Sequence, residues 1–193
     1  MIWLLLLAGA VAVAVFVERL LHYHREQINS LDFLNGVRNV LKRDNVVEAI
    51  SICEATPGPV ARLVKTAILS RDRGREGVRE ALEEAGLVEV PRLEERLNLL
   101  ATIAQIAPIM GLLGTVLGFI EVFRVLQQQG VSAPANELAG GIWQALVCTG
   151  AGLALAIPCY AGYNYLVSRV NTIVLDMEKA STEILNLLTE AGS

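Results

Sequence analysis

The chain has few of the side chains that catalytic and metal sites most often use. It contains two histidines and three cysteines among 193 residues. His22 and His24 are two residues apart, so on a helix they would face different sides and would not form a metal site. Cys53, Cys148 and Cys159 are odd in number and scattered, which is typical of small apolar packing residues rather than a redox pair. We therefore expect no metal, no cofactor and no enzymatic activity.

The sequence also lacks a nucleotide-binding loop and a basic tract. The segment GLLGTVLG at 111–118 has no Lys-Ser/Thr ending and lies in apolar sequence, so it is not a phosphate-binding loop. Sixteen basic and 20 acidic residues give a net charge of −4, and both signs are spread along the chain. This distribution argues against nucleic acid as a partner.

The sequence has instead long runs without charge. Its hydrophobic content of 53% and mean hydropathy of +0.48 are too high for an ordinary soluble domain. Charged residues are absent from 1–17, 97–120 and 138–168. At ~1.5 Å per residue the second and third runs reach roughly 36 and 46 Å, against a hydrocarbon core of roughly 30 Å. We predict three membrane-spanning helices, the third of which must tilt or project beyond the bilayer.

The first run has a second interpretation, since its length also suits the core of a secretory signal peptide. No Lys or Arg precedes it, and Glu18-Arg19 follows where a small-residue cleavage site would be expected, although Ala12 and Ala14 leave room for one. We expect a retained helix. Cleavage near residue 14, visible in the intact mass, would indicate the alternative.

Basic residues predict the orientation and the organisation of the chain. Residues 22–96 hold twelve Lys or Arg and residues 125–137 hold none, so the positive-inside rule places the first segment in the cytoplasm and the second outside. The N-terminus is then outside and the C-terminus is in the cytoplasm. The expected order is a first transmembrane helix at 1–21, a cytoplasmic helical region at 22–96, a second transmembrane helix at 97–126, an outward loop at 127–137, a third transmembrane helix at 138–168 and a cytoplasmic C-terminal helix at 169–193.

The predicted fold is an all-α membrane protein, because no period-2 run is long enough for a sheet. Breaks are expected at TPGP (56–59) and RDRGREG (71–77), and one helix is expected to run from Pro91 straight into the second membrane run. Two helical faces follow from the apolar spacing: Leu31, Leu34, Val37 and Leu41 on one helix, and Val60, Leu63, Val64, Ala67 and Ile68 on the next.

Small residues form a stripe on each of the last two membrane runs. Because lipid tails are as apolar as leucine, such stripes indicate close helix packing, within or between subunits. They comprise Ala104, Ala107, Gly111, Gly114 and Gly118 on the second run, and Gly141, Ala145, Thr149, Gly152 and Ala156 on the third.

Polar residues near two helix-breaking prolines indicate a polar interior seam. Pro108 and Pro158 each remove a helix hydrogen bond and leave a carbonyl that a neighbouring polar group or water must satisfy. Thr115, Gln144 and Thr149 lie within the same two runs. The competing interpretation is that each threonine bonds only the carbonyl four residues before it in its own helix.

These residues resemble a known family. LATIAQIAPIMGLLGTVLGFIEVF (100–123), followed by GIWQALVCTGAGLALAIPCYAGYNYLVSR (141–169), is similar to the ExbB/TolQ/MotA proton-channel family, most closely to the ExbB/TolQ branch. The segment GPVARLVKTAI (58–68), the three spans and the cytoplasmic block agree with it. The resemblance implies a ring-forming homo-oligomer of the bacterial inner membrane, usually a homopentamer, whose long second and third helices extend into a helical cytoplasmic region.

The resemblance also implies a function and partners. Copies of the chain would surround a single-span ExbD/TolR-like partner whose aspartate carries the proton, and proton flow would drive work on the envelope through a TonB/TolA-like protein, as in TonB-dependent transport. No Asp or Glu lies within 97–120 or 138–168, which fits an acid supplied by the partner. The alternative is a non-conducting membrane scaffold of the same fold that assembles envelope partners.

The resemblance assigns roles to individual residues. Thr115 and Thr149 match the threonines beside the partner's aspartate, Pro108 and Pro158 the helix-bending prolines, and Gly111, Gly114 and Gly118 the close-packing face. Gln144 departs from the pattern, because the family commonly has glutamate there and an amide cannot relay a proton by ionising. A final pair, Glu121 and Arg124, is expected to form an interfacial ion pair, an interpretation favoured over a proton entry site.

Overall fold

The structure is a computed structural model, and it describes residues 2–26, 30–43, 45–130 and 134–191. These residues form seven α-helices and one 3₁₀ turn at Arg71–Arg73, and they contain no strand. The all-α fold class is therefore confirmed for the described residues. The helices are α1 (Ile2–Glu26), α2 (Ser30–Leu41), α3 (Val46–Ala55), α4 (Pro59–Leu69), α5 (Gly74–Glu94), α6 (Leu97–Gln129) and α7 (Ala135–Ala191).

Three of the helices are long and apolar enough to cross a membrane. They cover Trp3–Tyr23, Leu97–Gln129 and Ala135–Thr189, with mean hydropathies of 2.3, 2.0 and 1.6. The protein is accordingly a multi-pass membrane protein. At ~1.5 Å per residue α7 is roughly 85 Å long, nearly three times the hydrocarbon thickness, so a large part of it lies outside the lipid core.

The chain divides into two compact units. The first comprises Met1–Glu18 and Arg96–Leu166, and the second comprises Arg19–Glu95 and Val167–Ser193. Residues 27–29 and 44 of the predicted cytoplasmic region, 131–133 of the predicted outward loop, and 192–193 of the C-terminal helix lie outside the described residues. The first unit contains the predicted site residues, and the second contains most of the charge.

The core of the second unit is built around α4, whose apolar spacing was interpreted correctly. Seven of its eleven residues are buried, including the five predicted from the sequence. The predicted face of α2 is only partly right, because Leu31 is 70% exposed and Phe33 is buried beside Leu34 and Val37. The C-terminal part of α7 adds buried residues at alternating steps of three and four, namely Val170, Ile173, Met177, Ala180 and Ile184.

Polar contacts connect the helices of this second unit. Arg62 on α4 donates a hydrogen bond to the buried carboxylate of Glu89 on α5 at 2.7 Å. The Tyr23 hydroxyl donates to the carbonyl of Leu93 at 2.6 Å, and Arg38 on α2 forms an ion pair with Glu183 on α7.

The turns between helices α3, α4 and α5 lie close to their predicted positions. The first break is as expected: α3 ends at Ala55 and α4 begins at Pro59, the proline occupying a position where its missing N–H costs nothing. Gly58 there has φ 112°, which residues with a side chain rarely adopt. The second break is shorter than predicted, because α5 already begins at Gly74.

The expectation of one helix running from Pro91 into the second membrane run is wrong. Helix α5 continues through Pro91 to Glu94, the chain then turns, and α6 begins afresh at Leu97. Arg96 has a left-handed backbone with φ 65°, a conformation that costs a non-glycine residue roughly 1–3 kcal/mol. The side chain of Arg96 forms an ion pair with Glu18, which is distant in sequence.

Replacing Ile68 by alanine tests the core of the second unit. Ile68 is 1% exposed, so Ile68→Ala leaves a cavity and should destabilise the protein by about 2–5 kcal/mol. The neighbouring Leu69 is 61% exposed, and Leu69→Ala should change stability by less than about 0.5 kcal/mol. Thermal unfolding of both variants in detergent compares them directly. Equal shifts for the two variants would contradict the predicted core.

The buried thiol of Cys53 should resist alkylation. Burial raises the pKa of Cys53 from 9.0 to about 11, and the nearby ammonium of Lys65 lowers it only in part. The stability that the buried neutral thiol contributes is therefore fully present below the pKa that Cys53 has in the unfolded chain. That contribution is lost as the pH rises through about 11. At about pH 8.5, iodoacetamide should label Cys53 slowly in the folded protein and rapidly after denaturation, as peptide mass spectrometry can show. Equal labelling in both states would contradict this protection.

Candidate functional site

Helices α6 and α7 pack with their backbones in close approach. A methyl group built on Gly152 would lie 2.6 Å from the carbonyl oxygen of Ala107 and 2.9 Å from the Cα of Gly111. A methyl group on Gly111 would lie 3.0 Å from the carbonyl oxygen of Cys148 and 3.1 Å from the Cα of Thr149. These neighbours are backbone atoms that cannot turn aside, so both positions require glycine at the observed spacing.

The close approach continues toward the other end of the pair. A methyl group on Gly118 would lie 2.7 Å from the Cβ of Ala145, and one on Gly141 would lie 2.5 Å from a methyl carbon of Val122. The two predicted stripes thus face each other within one chain. We call this contact the glycine seam; it comprises Gly111, Gly114 and Gly118 on α6 with Gly141 and Gly152 on α7.

The hydroxyls of Thr115 and Thr149 meet across the glycine seam and are hydrogen bonded to each other. Thr115 Oγ1 also lies 3.3 Å from the carbonyl oxygen of Gly111 and 3.4 Å from that of Ala145. Thr149 Oγ1 lies 3.2 Å from the carbonyl oxygen of Gly111. Thr115 therefore has the bond within its own helix that the competing interpretation expects, but both threonines also bond across the two helices.

This geometry fixes what the threonine pair can offer a ligand. Each hydroxyl has one proton and two lone pairs. When one hydroxyl donates to the other, the second can donate to a carbonyl, and the opposite order is equally compatible with the distances around Gly111. Both protons are then used, one in the bond between the two hydroxyls and one in a bond to a backbone carbonyl. The oxygens retain lone pairs that can accept a hydrogen bond from a protonated carboxyl group or from water.

Pro108 lies inside α6 and Pro158 inside α7, and both helices continue beyond them. Each ring removes the N–H that would bond the carbonyl four residues earlier, at Ala104 and Ala154 respectively. The prolines thus create polar backbone positions within two apolar helices. Their role in bending these helices remains a prediction.

Gln144 lines a cavity rather than filling a packed position. The cavity has a volume of about 440 Å³. Glu121, whose carboxylate lies 3.2 Å from the Arg124 guanidinium, lines the same cavity, so the predicted ion pair is present. The lining residues are Trp3, Gly114, Leu117, Gly118, Glu121, Gln144 and Cys148.

Two further glycines, which the stripes did not include, bring α1 against α7. A methyl group on Gly9 would lie 3.2 Å from a methyl carbon of Leu155, and one on Gly162 would lie 3.0 Å from the ring of Phe16. Gly9 is the only glycine in the first uncharged run, and that isolation was the available signal. Within the described parts of the chain, no group of three His, Cys, Asp or Glu residues could hold a metal ion.

The segment of the chain that matches a known protein family includes the glycine seam and the threonine pair. Residues 55–179 match the model of the MotA/TolQ/ExbB proton channel family. The chain belongs to this family. The matched segment includes the glycine seam, both threonines, both prolines and Gln144, and this family is a transport and proton-channel class rather than a class of enzymes.

Individual MotA/TolQ/ExbB relatives agree with this membership. A putative biopolymer transport protein ExbB homolog of Methanothermobacter thermautotrophicus is 30% identical over 190 residues, which cover 96% of this chain and 65% of that protein. The biopolymer transport protein ExbB of Aquifex aeolicus is 42% identical over 45% of this chain and 57% of its own length. The Tol-Pal system protein TolQ of Haemophilus influenzae is 38% identical over 58% of this chain and 49% of its own length. The chain thus spans about half to two thirds of the length of these relatives.

Adding a single methyl group should destabilise the protein at a glycine of the seam and should not do so at a glycine of α7 outside the seam. In Gly152→Ala the added carbon meets the backbone of α6, so the helices must move apart, at a cost of about 1–3 kcal/mol. Gly150, two residues away, has nothing within 4 Å of an added methyl group, and Gly150→Ala should be neutral or stabilising because alanine favours helix. Melting in detergent measures both. Equal destabilisation by the two substitutions would contradict the seam.

Proposed function

We propose that this chain is the ring-forming subunit of a proton-driven motor in the bacterial inner membrane. The observation that carries the proposal is the threonine pair: two hydroxyls directed toward one another inside a seam between two otherwise apolar helices. In the proposed complex, several copies surround the transmembrane helix of a single-span ExbD/TolR-like partner. Proton flow through that site drives movement that a TonB/TolA-like protein carries to the envelope.

The acid of the proposed path comes from the partner. Proton conduction through lipid needs a group that binds and releases protons, and such groups inside membranes are ionisable side chains. The runs 97–120 and 138–168 contain no Asp or Glu, and the threonines do not ionise at physiological pH. An aspartate on the partner helix, placed beside Thr115 and Thr149, would complete the path.

The threonine pair suits the protonated form of that aspartate. Because its two protons are used in the bond between the hydroxyls and in a bond to a backbone carbonyl, the pair presents acceptor lone pairs, and these bind a carboxylic acid that donates its proton. An ionised carboxylate would need a donor, which the pair can supply only by giving up a bond to a backbone carbonyl. The pair thereby favours the state in which the partner's acid carries a proton past the apolar helices.

The arrangement of copies and the orientation belong to the same proposal. Large apolar side chains of both helices are exposed on the single chain, among them Ile109, Leu112, Leu117 and Leu146, and a ring would cover part of this surface. The proposed ring is a homopentamer. In this proposal residues 22–96 and 169–193 lie in the cytoplasm and residues 127–137 lie outside, an orientation that agrees with the distribution of basic residues.

A scaffold without conduction is the second candidate, and Gln144 is the observation that favours it. The amide of Gln144 can form hydrogen bonds but cannot take up a proton by ionising at physiological pH. If the acid expected at this position were essential to the path, the chain would assemble envelope partners without conducting. The retained threonine pair makes the conducting function the better supported of the two.

Removing the two hydroxyls tests the proposed path. Thr115→Val and Thr149→Val keep the side-chain shape, but they remove the groups that bind the partner's acid. Proton uptake by liposomes that contain the complex with its co-encoded single-span partner, followed with a pH-sensitive dye, should fall by about 10²-fold. Thr115→Ser, which keeps the hydroxyl, should retain most of the uptake.

Thr102 provides the matched control on the same helix. Its hydroxyl is exposed and donates at 2.6 Å to the carbonyl of Asn98 in its own helix, so Thr102→Val should leave uptake unchanged. Uptake that neither seam substitution alters would exclude the roles given to Thr115 and Thr149. A wild-type complex that assembles with its partner but takes up no protons would favour the scaffold.

A further inference from the structure

We propose that Glu121 is the proton-collecting carboxylate of this subunit and that the cavity it shares with Gln144 leads protons toward the threonine pair. This inference rests on the proposed function, in particular on conduction and on an outward-facing end of α6. It assigns a role in transport to a residue for which the sequence favoured an ion pair over a proton entry site.

The position of the cavity connects Glu121 with the level of the threonines. Its lining extends from Glu121 to Gly114 and Cys148, which are the residues directly before Thr115 and Thr149. Six residues of α6 separate Glu121 from Thr115, a rise of about 9 Å. A volume of about 440 Å³ has room for on the order of ten water molecules at roughly 30 Å³ each. A short chain of water can therefore span the distance.

The chemistry of the lining suits proton collection. Glu121 is the one carboxylate among the lining residues, and Gln144 provides an amide that can both donate to and accept from water. A proton from external water protonates the Glu121 carboxylate, which then releases it to water in the cavity. Only O–H bonds form and break in this step. Gln144 takes part by hydrogen bonding and does not ionise.

The ion pair with Arg124 leaves the carboxylate available for this role. The two side chains are 3.2 Å apart, but they are 60% and 63% exposed, and exposed pairs of this kind are weak. The carboxylate atom that contacts Arg124 is Oε2.

The cavity also gives a structural meaning to the departure at position 144. The resemblance places a glutamate on the third membrane helix where this chain has Gln144. Here the facing helix places Glu121 on the same cavity. The carboxylate of Glu121 therefore lies on the wall of the cavity opposite Gln144. We expect that a carboxylate on either wall can supply protons to the cavity.

Exchanging the acid and the amide between the two walls tests the inference. In liposomes that contain the complex with its co-encoded partner, Glu121→Gln should reduce proton uptake by about tenfold or more. Adding Gln144→Glu to that variant should restore at least half of the wild-type rate, because the cavity regains a carboxylate. Glu137→Gln, on the first turn of α7 and outside the cavity lining, is the matched control and should leave uptake unchanged.

The outcomes distinguish this inference from the proposed function. A wild-type complex without uptake would end both. Wild-type uptake that Glu121→Gln does not reduce would overturn the role of Glu121 alone. A reduction that Glu137→Gln shares, or that Gln144→Glu does not rescue, would indicate a general surface-charge or structural effect and would also overturn it. Glu121→Asp, with gel filtration of every variant, shows whether a loss of uptake reflects failed assembly.

Discussion

The close approach of α6 and α7 at Gly111 and Gly152 is the constraint on which the candidate site depends. Lipid tails are as apolar as the side chains, so no hydrophobic effect drives membrane helices together. Two such helices gain stability mainly through close packing. The gain requires glycine where the opposing backbone would otherwise meet a Cβ atom at 2.6 to 3.1 Å. With helices this close, a threonine hydroxyl on one helix reaches the backbone carbonyl of the other.

The same contact divides α7 into positions with different environments. Thr149 faces Thr115 across the seam, whereas the preceding residue, Cys148, packs on Gly114 and lines the cavity that holds Gln144. One residue along a helix corresponds to about 100° of rotation, which accounts for this separation. The seam therefore places the hydroxyl pair and the cavity that Glu121 lines side by side.

Much of this arrangement could be predicted from the sequence, because a helix places residues three and four apart on one face. That rule identified the facing stripes and the core of α4. It could not predict that the stripes meet within one chain, because the spacing of small residues on one helix does not identify the helix that packs against it. It failed at Arg96, where an ion pair to Glu18, 78 residues away, accompanies a left-handed turn that no local signal marks. The rule also predicted that Leu31 of α2 is buried, whereas Phe33 is the buried residue. Packing against the surrounding helices decides which of two nearby apolar residues is buried.

The distribution of ionisable groups has a consequence for assembly under the proposed function. Neutral helices enter the bilayer without the cost of burying a charge, and here both long runs are neutral while Glu121 lies at the edge of one of them. The threonine pair can accept a hydrogen bond but cannot bind a proton in transit, so a ring without its partner would lack a proton carrier at the level of that pair. Conduction then begins only when a second chain supplies its carboxyl group. Under the proposed function, dividing the path between two chains would make the proton current depend on complete assembly, and separate subunits would not let protons leak across the membrane.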